Sequence, residues 1–332
     1  MSTRRKSLNS IHITATPSAN AGLWLDKYIL DLTKSDSEGH SNFVKDISSH
    51  SIPAAYNIFY DRWINMLNTY SAQKRIAKVT GRMIVGLGDE SVLETSMTLH
   101  HTYGVPYIPG SALKGLASSY AHQKLGEHWQ KGSTAHNVVF GNTDDAGYIT
   151  FFDALYVPDS GYQKQALYPD IITVHHQDYY NTGKDRAPAD WDSPTPIPLL
   201  SATGQYLIAL AAPDLPSEWI PRAFEILELA LKEMGIGAKT SSGYGRMEFE
   251  IDQNGPGMEE ARTFIQELDG LPAASLTGRF DGLVGKWNKL PSKESKVIAA
   301  KAIIDKVSNA GKEPEIARKP LYKMLQSFIS SK

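Results

Sequence analysis

Two stretches of this sequence carry residue types that can hold an anion. The first is Tyr103–Gly115, YGVPYIPGSALKG. Pro106 and Pro109 stiffen an extended approach, Gly110 permits a turn, and Ser111 is placed to cap a helix whose first N–H groups lack partners within the helix. A helix start of this kind suits phosphate, and Lys114 lies one turn in, on the same face. It is not a nucleophile elbow, because GxSxG needs glycine at 109 and 113, which are Pro109 and Leu113. The second stretch is Gly235–Arg246, GIGAKTSSGYGR. Its glycines at 235, 237, 243 and 245 let the backbone approach a ligand closely, and Lys239, Thr240, Ser241 and Ser242 add one charge and three hydroxyls. A P-loop is excluded, since Glu233 and Ala238 stand where its glycines belong, and a dinucleotide loop follows a strand rather than precedes one. The competing reading is a glycine-rich connection with no ligand, and the loop alone does not decide between them.

Other candidate chemistry is weaker. His100–His101 and His175–His176 with Asp178 could supply metal ligands. There is no HExxH, adjacent histidines on a strand face opposite ways, and no thiolate can complete a site, so structural or RNA-contacting histidines are the better reading. Asp144, Asp145, Asp153, Asp178, Asp190 and Asp192 leave a two-carboxylate hydrolase open, but their spacing selects no pair. No catalytic residue, metal ligand or cofactor is assigned.

These loops need elements to hold them. Val79–Val85 alternates as a strand, and Ser111 opens a helix to about Lys124. Tyr148–Val157 and Gln205–Ala212 read as strands, the second apolar enough for burial on both faces. Glu218–Met234 carries one apolar stripe, with Ser217 placed to cap it and Gly235 at the C′ position. Tyr244–Ile251 alternates as a half-exposed strand. The order is β-α-β-β-α-β, the ferredoxin-like pattern of an α+β fold, interrupted by a long insert, 158–204, with a short strand at Ile171–His176 and then a Pro-rich stretch. Helices are expected at Ala21–Leu32 and Ala54–Tyr70, where Tyr56, Phe59, Tyr60, Trp63, Ile64 and Leu67 read as core. Three parts follow: a helical segment 1–75, a core domain 76–255, and a basic helical extension 271–332 with helices at Ser292–Asn309 and Glu315–Ser330. The apolar positions Val297, Ile303, Ile304 and Val307 require a partner surface on the body or on another subunit.

Composition sets the outer bounds. The net charge of −2 is unevenly spread: 271–332 holds 12 Lys and Arg against 5 Asp and Glu, leaving 22 against 31 elsewhere. A basic tail on an acidic body suits a polyanion, with a solvated helical face as the plain alternative. The absence of cysteine excludes disulfides, thiolate zinc sites and a cysteine nucleophile, and suits a reducing cytoplasm. No apolar run approaches the ~20 residues of a membrane span, and MSTRRKSLNSIHI has no apolar stretch behind its basic cluster, so a cytoplasmic protein without membrane partners is expected.

Gly86–Ala121, GLGDESVLETSMTLHHTYGVPYIPGSALKGLASSYA, together with GIGAKTSSGYGRM, resembles the RAMP proteins of type III-B CRISPR (Cmr) effector complexes, and within them the family of the sixth subunit. Asn20–Ile29, Val138–Pro158 and Ile172–Leu200 fit the same family, so the resemblance spans roughly residues 20–252. It implies a ferredoxin-like (RRM-type) RAMP core and a non-catalytic, guide-RNA-binding subunit near the 3′ end of the CRISPR RNA. Its partners would be CRISPR RNA, target RNA and the backbone and terminal RAMP subunits. By position, Pro109, Gly110, Ser111 and Lys114 would line the guide-RNA groove with Gly237, Lys239, Thr240, Ser241, Gly243, Tyr244 and Gly245. Ser242, Arg246, His100 and His101 join them as candidates, and the insert would reach toward the guide–target duplex or a neighbour. Since some RAMP proteins process CRISPR RNA, the alternative is a metal-independent endoribonuclease with His100 or His101 as general base. The two anion-suited loops could form opposite walls of one groove.

Overall fold

The computed structural model describes residues 20–27, 37–89, 95–175, 187, 189, 191–192, 194–213, 216, 218–251 and 257–330. The chain falls into two compact units, Met1–Glu250 and Ile251–Lys332.

In the first unit, helices α1 (Ala21–Lys27), α2 (Ser37–Ser48) and α3 (Ala54–Thr69) precede strand β1 (Gln73–Val79). Strand β2 (Tyr107–Ile108), helices α4 (Gly110–Lys124) and α5 (Thr134–Phe140), and strands β3 (Thr150–Phe151) and β4 (Ala154–Tyr156) follow. Then come β5 (Leu167–Val174), β6 (Thr195–Ala202), β7 (Gln205–Ala211), helix α6 (Trp219–Glu233) and β8 (Met247–Phe249). The main sheet runs β2-β4-β7-β1-β8, with β3 also on β7. Its pairings are antiparallel, so the unit is α+β.

Strand β7 is central because its run is apolar throughout: every residue after Gln205 is buried, as the uncharged sequence requires of a strand covered on both faces. Helix α6 buries Ile220, Ala223, Phe224, Ile226, Leu227, Ala230 and Leu231, the stripe expected from its spacing. Phe224 meets Phe249 of β8 edge-on at 5.7 Å, and the Arg75 guanidinium lies 4.8 Å from the Phe224 ring. On the other face of the β1–β8 pair, Lys78 stands across from Glu248. Gly235 (φ 78°) closes α6, its N–H donating to the Ala230 carbonyl. The Ser217 cap lies outside the described residues.

Several expectations are corrected. The first strand is Gln73–Val79, not Val79–Val85, because its register is set by pairing Gln73–Lys78 with the apolar run of β7. Residues 80–85 leave the main sheet, and Met83 bridges Ala202 of β6. The strand expected at Tyr148–Val157 is two pieces. Phe151 pairs with Leu210 and Leu155 with Leu207, so the β3–β4 side has one residue more than β7, and the chain bulges at Phe152–Asp153. No strand was expected after Ile171–His176, yet the Pro-rich stretch supplies β6, which forms a two-stranded sheet with β5, Pro198 opposite Ile171 and Pro196 opposite Thr173. A two-stranded ribbon has a free edge on each strand, which is where proline's missing N–H is tolerated. Helix α2 was not expected. Tyr56, Tyr60 and Leu67 of α3 are buried, and Phe59, Trp63 and Ile64 pack partly buried against the same core.

The second unit is a helical bundle of α7 (Met258–Asp269), α8 (Leu276–Asn288), α9 (Lys293–Asn309), α10 (Glu313–Ile316) and α11 (Pro320–Ser330). Helices α7 and α8 were not anticipated; Gly278, Gly282 and Gly285 obscured the stripe Leu276, Phe280, Leu283, Val284 and Trp287. Ser292 and Ser295 form a reciprocal capping box at the start of α9. The single helix expected at Glu315–Ser330 is divided before Pro320, which starts α11. Ile303 and Val307 are buried in the bundle's own core with Phe280, Trp287 and Leu325, and Ile304 packs against it. For these three positions the required partner surface is therefore supplied by the same unit.

Candidate nucleic-acid interface

The first candidate segment is organised around a carboxylate. Pro109 precedes the first residue of α4, and the Gly110 N–H donates to Asp153 Oδ1 at 2.7 Å. Asp153, in the bulge, therefore takes the role expected of Ser111, whose side chain makes no capping bond and is exposed. Because that carboxylate already sits at the positive end of α4, the first helical donor is not open to phosphate. Gly110 has no room for a side chain: a Cβ would lie 2.1 Å from the Phe151 carbonyl oxygen. Lys114 is half-buried one turn along.

His100 belongs to the same neighbourhood. Its ring lies 5.0 Å from Phe59, 4.9 Å from Tyr103 and 6.2 Å from Tyr107, and its Nδ1 accepts from the Thr102 N–H at 3.3 Å. Burial, then the neighbouring His101, lowers its pKa below the ordinary 6.5, with Asp153 opposing. His101 is exposed, and its carbonyl accepts from the Asn20 side-chain amide. His175 is an exposed residue just past β5, whereas His176, Asp178 and Asp190 lie outside the described residues. Among the described residues no group of three or more His, Cys, Asp or Glu is placed to hold a metal.

The glycine-rich loop is the second neighbourhood, and it is held from below. The Ala238 N–H donates to the Ile84 carbonyl and the Gly245 N–H to the Arg82 carbonyl, both at 2.7 Å. The crown between these anchors turns at Lys239 (φ 58°), makes one 3-10 turn at Thr240–Ser242, and turns again at Gly243 (φ 90°). Lys239, Ser241, Ser242 and Gly243 are exposed and Thr240 partly so, which puts the lysine and its hydroxyls outward on a fixed backbone. Two candidates point elsewhere. Arg246 donates to the Lys232 carbonyl at 3.0 Å, at the C-terminal end of α6. The Tyr244 hydroxyl donates to Asp170 Oδ2 at 3.0 Å, and its pKa rises through burial first and that carboxylate second.

These contacts bring in residues that the sequence reading did not select. Arg82 lies with Cζ 4.3 Å from the Tyr168 ring centroid, and Tyr168 and Asp170 are on β5. The loop thus adjoins the base of the β5–β6 hairpin through the 82–85 segment. No motif marks Arg82; only the pairing of Met83 with Ala202 brings the hairpin beside it.

The two candidate segments do not share a groove. Gly110 rests on Phe151, which pairs with Leu210 near one end of β7. The glycine loop sits past Val79, whose N–H donates to the Gly204 carbonyl at the other end. At the strand rise, those levels are roughly 20 Å apart. Tyr120, ten residues into α4, faces Glu233 at the end of α6, which again puts the start of α4 far from the loop.

Comparisons with known proteins agree with this architecture. The model of the RAMP superfamily matches residues 76–248. The CRISPR system Cmr subunit Cmr6 of Pyrococcus furiosus is 30% identical over 245 residues, covering 58% of this chain and 72% of that protein. The Cmr6 of Saccharolobus solfataricus is 28% identical over 163 residues, covering 47% of this chain and 49% of that protein. A chain in the cryo-EM structure of the type III-B Cmr-beta complex bound to cognate target RNA superimposes with a TM-score of 0.51 at 19% identity, over 67% of this chain and 78% of that one, a likeness of fold. With just over half of its length matched by the family model and a Cmr6 relative spanned over most of its length, this chain belongs to the RAMP superfamily.

Proposed function

We propose that the chain is a non-catalytic subunit of a type III-B CRISPR effector complex that holds guide RNA by its backbone through the glycine-rich loop. The observation that carries this reading is the loop's exposed crown of Lys239, Thr240, Ser241 and Ser242 on a backbone pinned at both ends. Phosphate oxygens need donors and positive charge at fixed positions, and they carry no base identity. The kinship with Cmr6 subunits of the Cmr CRISPR system supports such an assembly, in which CRISPR RNA, target RNA, and backbone and terminal RAMP subunits would be the neighbours. Among the described residues no helix is long and apolar enough to cross a membrane.

The core would be ferredoxin-like: β1, α4, β4, β7, α6 and β8 follow the β-α-β-β-α-β order, and the sheet sequence β4-β7-β1-β8 suits it. In this reading 76–255 is the RAMP domain, 158–204 its insert, 1–75 a helical segment on the core and 271–332 a basic extension. The endoribonuclease alternative gains nothing from His100, which is packed among Phe59, Tyr103 and Tyr107 with its Nδ1 occupied, and would fall to the exposed His101. Purified full-length chain titrated with single-stranded RNA should bind without sequence preference and weaken linearly in log salt. Absence of both co-purifying RNA and salt-dependent binding would refute the proposal.

A further inference from the structure

We infer that Arg82, lying on the Tyr168 ring beside the glycine-rich loop, clamps a backbone phosphate of single-stranded RNA and ties the β5–β6 hairpin to the occupied loop. The inference rests on the proposed RNA-binding role of that loop. A guanidinium carries five N–H donors, and among the described residues only Nη1 meets a hydrogen-bond partner, the Ser201 hydroxyl at a marginal 3.5 Å. Among the described residues no carboxylate pairs with it. Asp170, on the same hairpin, is already engaged: Oδ1 accepts from the Ile171 N–H at 2.9 Å and Oδ2 from Tyr244.

Arg82 is therefore a half-buried cation with most of its donors unspent, held over an aromatic ring 4.3 Å away. That ring limits the side chain's freedom while leaving its N–H fork open. A planar fork matches two phosphate oxygens as an ammonium cannot. Its position is fixed by the backbone: the Arg82 carbonyl receives Gly245 and the Ile84 carbonyl receives Ala238, the residue before Lys239. One phosphodiester reaching Lys239 on the crown has Arg82 on the hairpin side. Tyr168 acts as a positioning residue through Arg82.

The test measures fluorescence anisotropy of a fluorescein-labelled single-stranded oligouridylate with the full-length chain across a KCl series, with thermal melting of each variant. Arg82→Ala should bind about tenfold more weakly at low salt, and its slope of log affinity against log salt should be smaller by about 0.7, one single-strand phosphate. Arg82→Lys should keep the slope and stay several-fold weaker, and Tyr168→Leu should lose affinity with the slope intact. If Arg82→Ala does not fold, Arg82→Gln beside Arg82→Lys decides: slope loss in the glutamine variant alone supports the clamp, and equal slopes overturn it. Unchanged affinity and slope in Arg82→Ala, with binding weakened in Lys239→Ala, would overturn the clamp and leave the loop's role standing. No salt-sensitive binding by the unaltered chain would defeat the RNA-binding reading and the clamp with it.

Discussion

Gly237 and Gly243 have nearly the same backbone angle, φ 89° and 90°, yet replacing each with alanine should have very different consequences. An L-residue in this region costs about 1–2 kcal/mol. At Gly243 an added Cβ meets nothing within 4 Å, so that penalty is the whole effect. At Gly237 the Cβ would lie 2.1 Å from the Ile84 carbonyl oxygen and 3.0 Å from its carbon. These are backbone atoms of a fully buried residue, so no side-chain rotation relieves the clash. The same oxygen accepts the Ala238 N–H at 2.7 Å, and separating the two segments breaks that bond. A buried group left unpaired adds about 1–3 kcal/mol, bringing Gly237→Ala to roughly 2–5 kcal/mol against about 1–2 for Gly243→Ala. Urea denaturation followed by tryptophan fluorescence reads the difference, and in melting each kcal/mol moves the midpoint by about 2–4 °C for a domain of this size. RNA affinity should fall in Gly237→Ala, because the crown loses its anchor. Equal stabilities for the two variants, within about 0.5 kcal/mol, would refute the account of the loop as pinned to the 82–85 segment.

Three further outcomes are expected. Asp153→Ala removes the acceptor for the Gly110 N–H and the negative charge at the start of α4, and should cost about 1–2 kcal/mol in urea denaturation. Phe280→Ala empties a fully buried site in the second unit's core; at about 3–5 kcal/mol, most of a small bundle's stability, the C-terminal residues should become sensitive to limited proteolysis while the rest persists. His136 is buried with Nε2 3.0 Å from the Ser118 hydroxyl, and burial lowers its pKa below 6.5, as it does for His100. The unfolded chain therefore takes up protons first as pH falls, so this stability is present above 6.5 and lost below it. Urea midpoints about one unit either side of that value should show the loss, and His136→Gln should reduce it, leaving the share of His100; a pH dependence unchanged in His136→Gln would refute the assignment.

Periodicity by itself determined the elements whose burial follows from local pattern. The stripe of α6 and the uncharged run of β7 were legible because one face, or both, had to leave water whatever the neighbours. The glycine-rich loop was legible too, since repeated positive-φ positions leave a mark in composition. Glycines in α8 and prolines in β6 hid real elements, because propensity is weak beside tertiary packing and strand pairing. Which residues meet was decided only by the tertiary structure. Asp153 displaced Ser111 at the start of α4 because a one-residue bulge turned it there, and a bulge is a property of two strands in register. The expected groove between the two anion-suited segments is absent because sheet order and register send them to opposite ends of β7. Arg82 carries no motif, and gained its place only when the chain left the main sheet after β1 and Met83 paired with β6, setting its side chain on Tyr168 next to the loop. Local spacing fixes what a segment can do; long-range pairing decides what it stands beside.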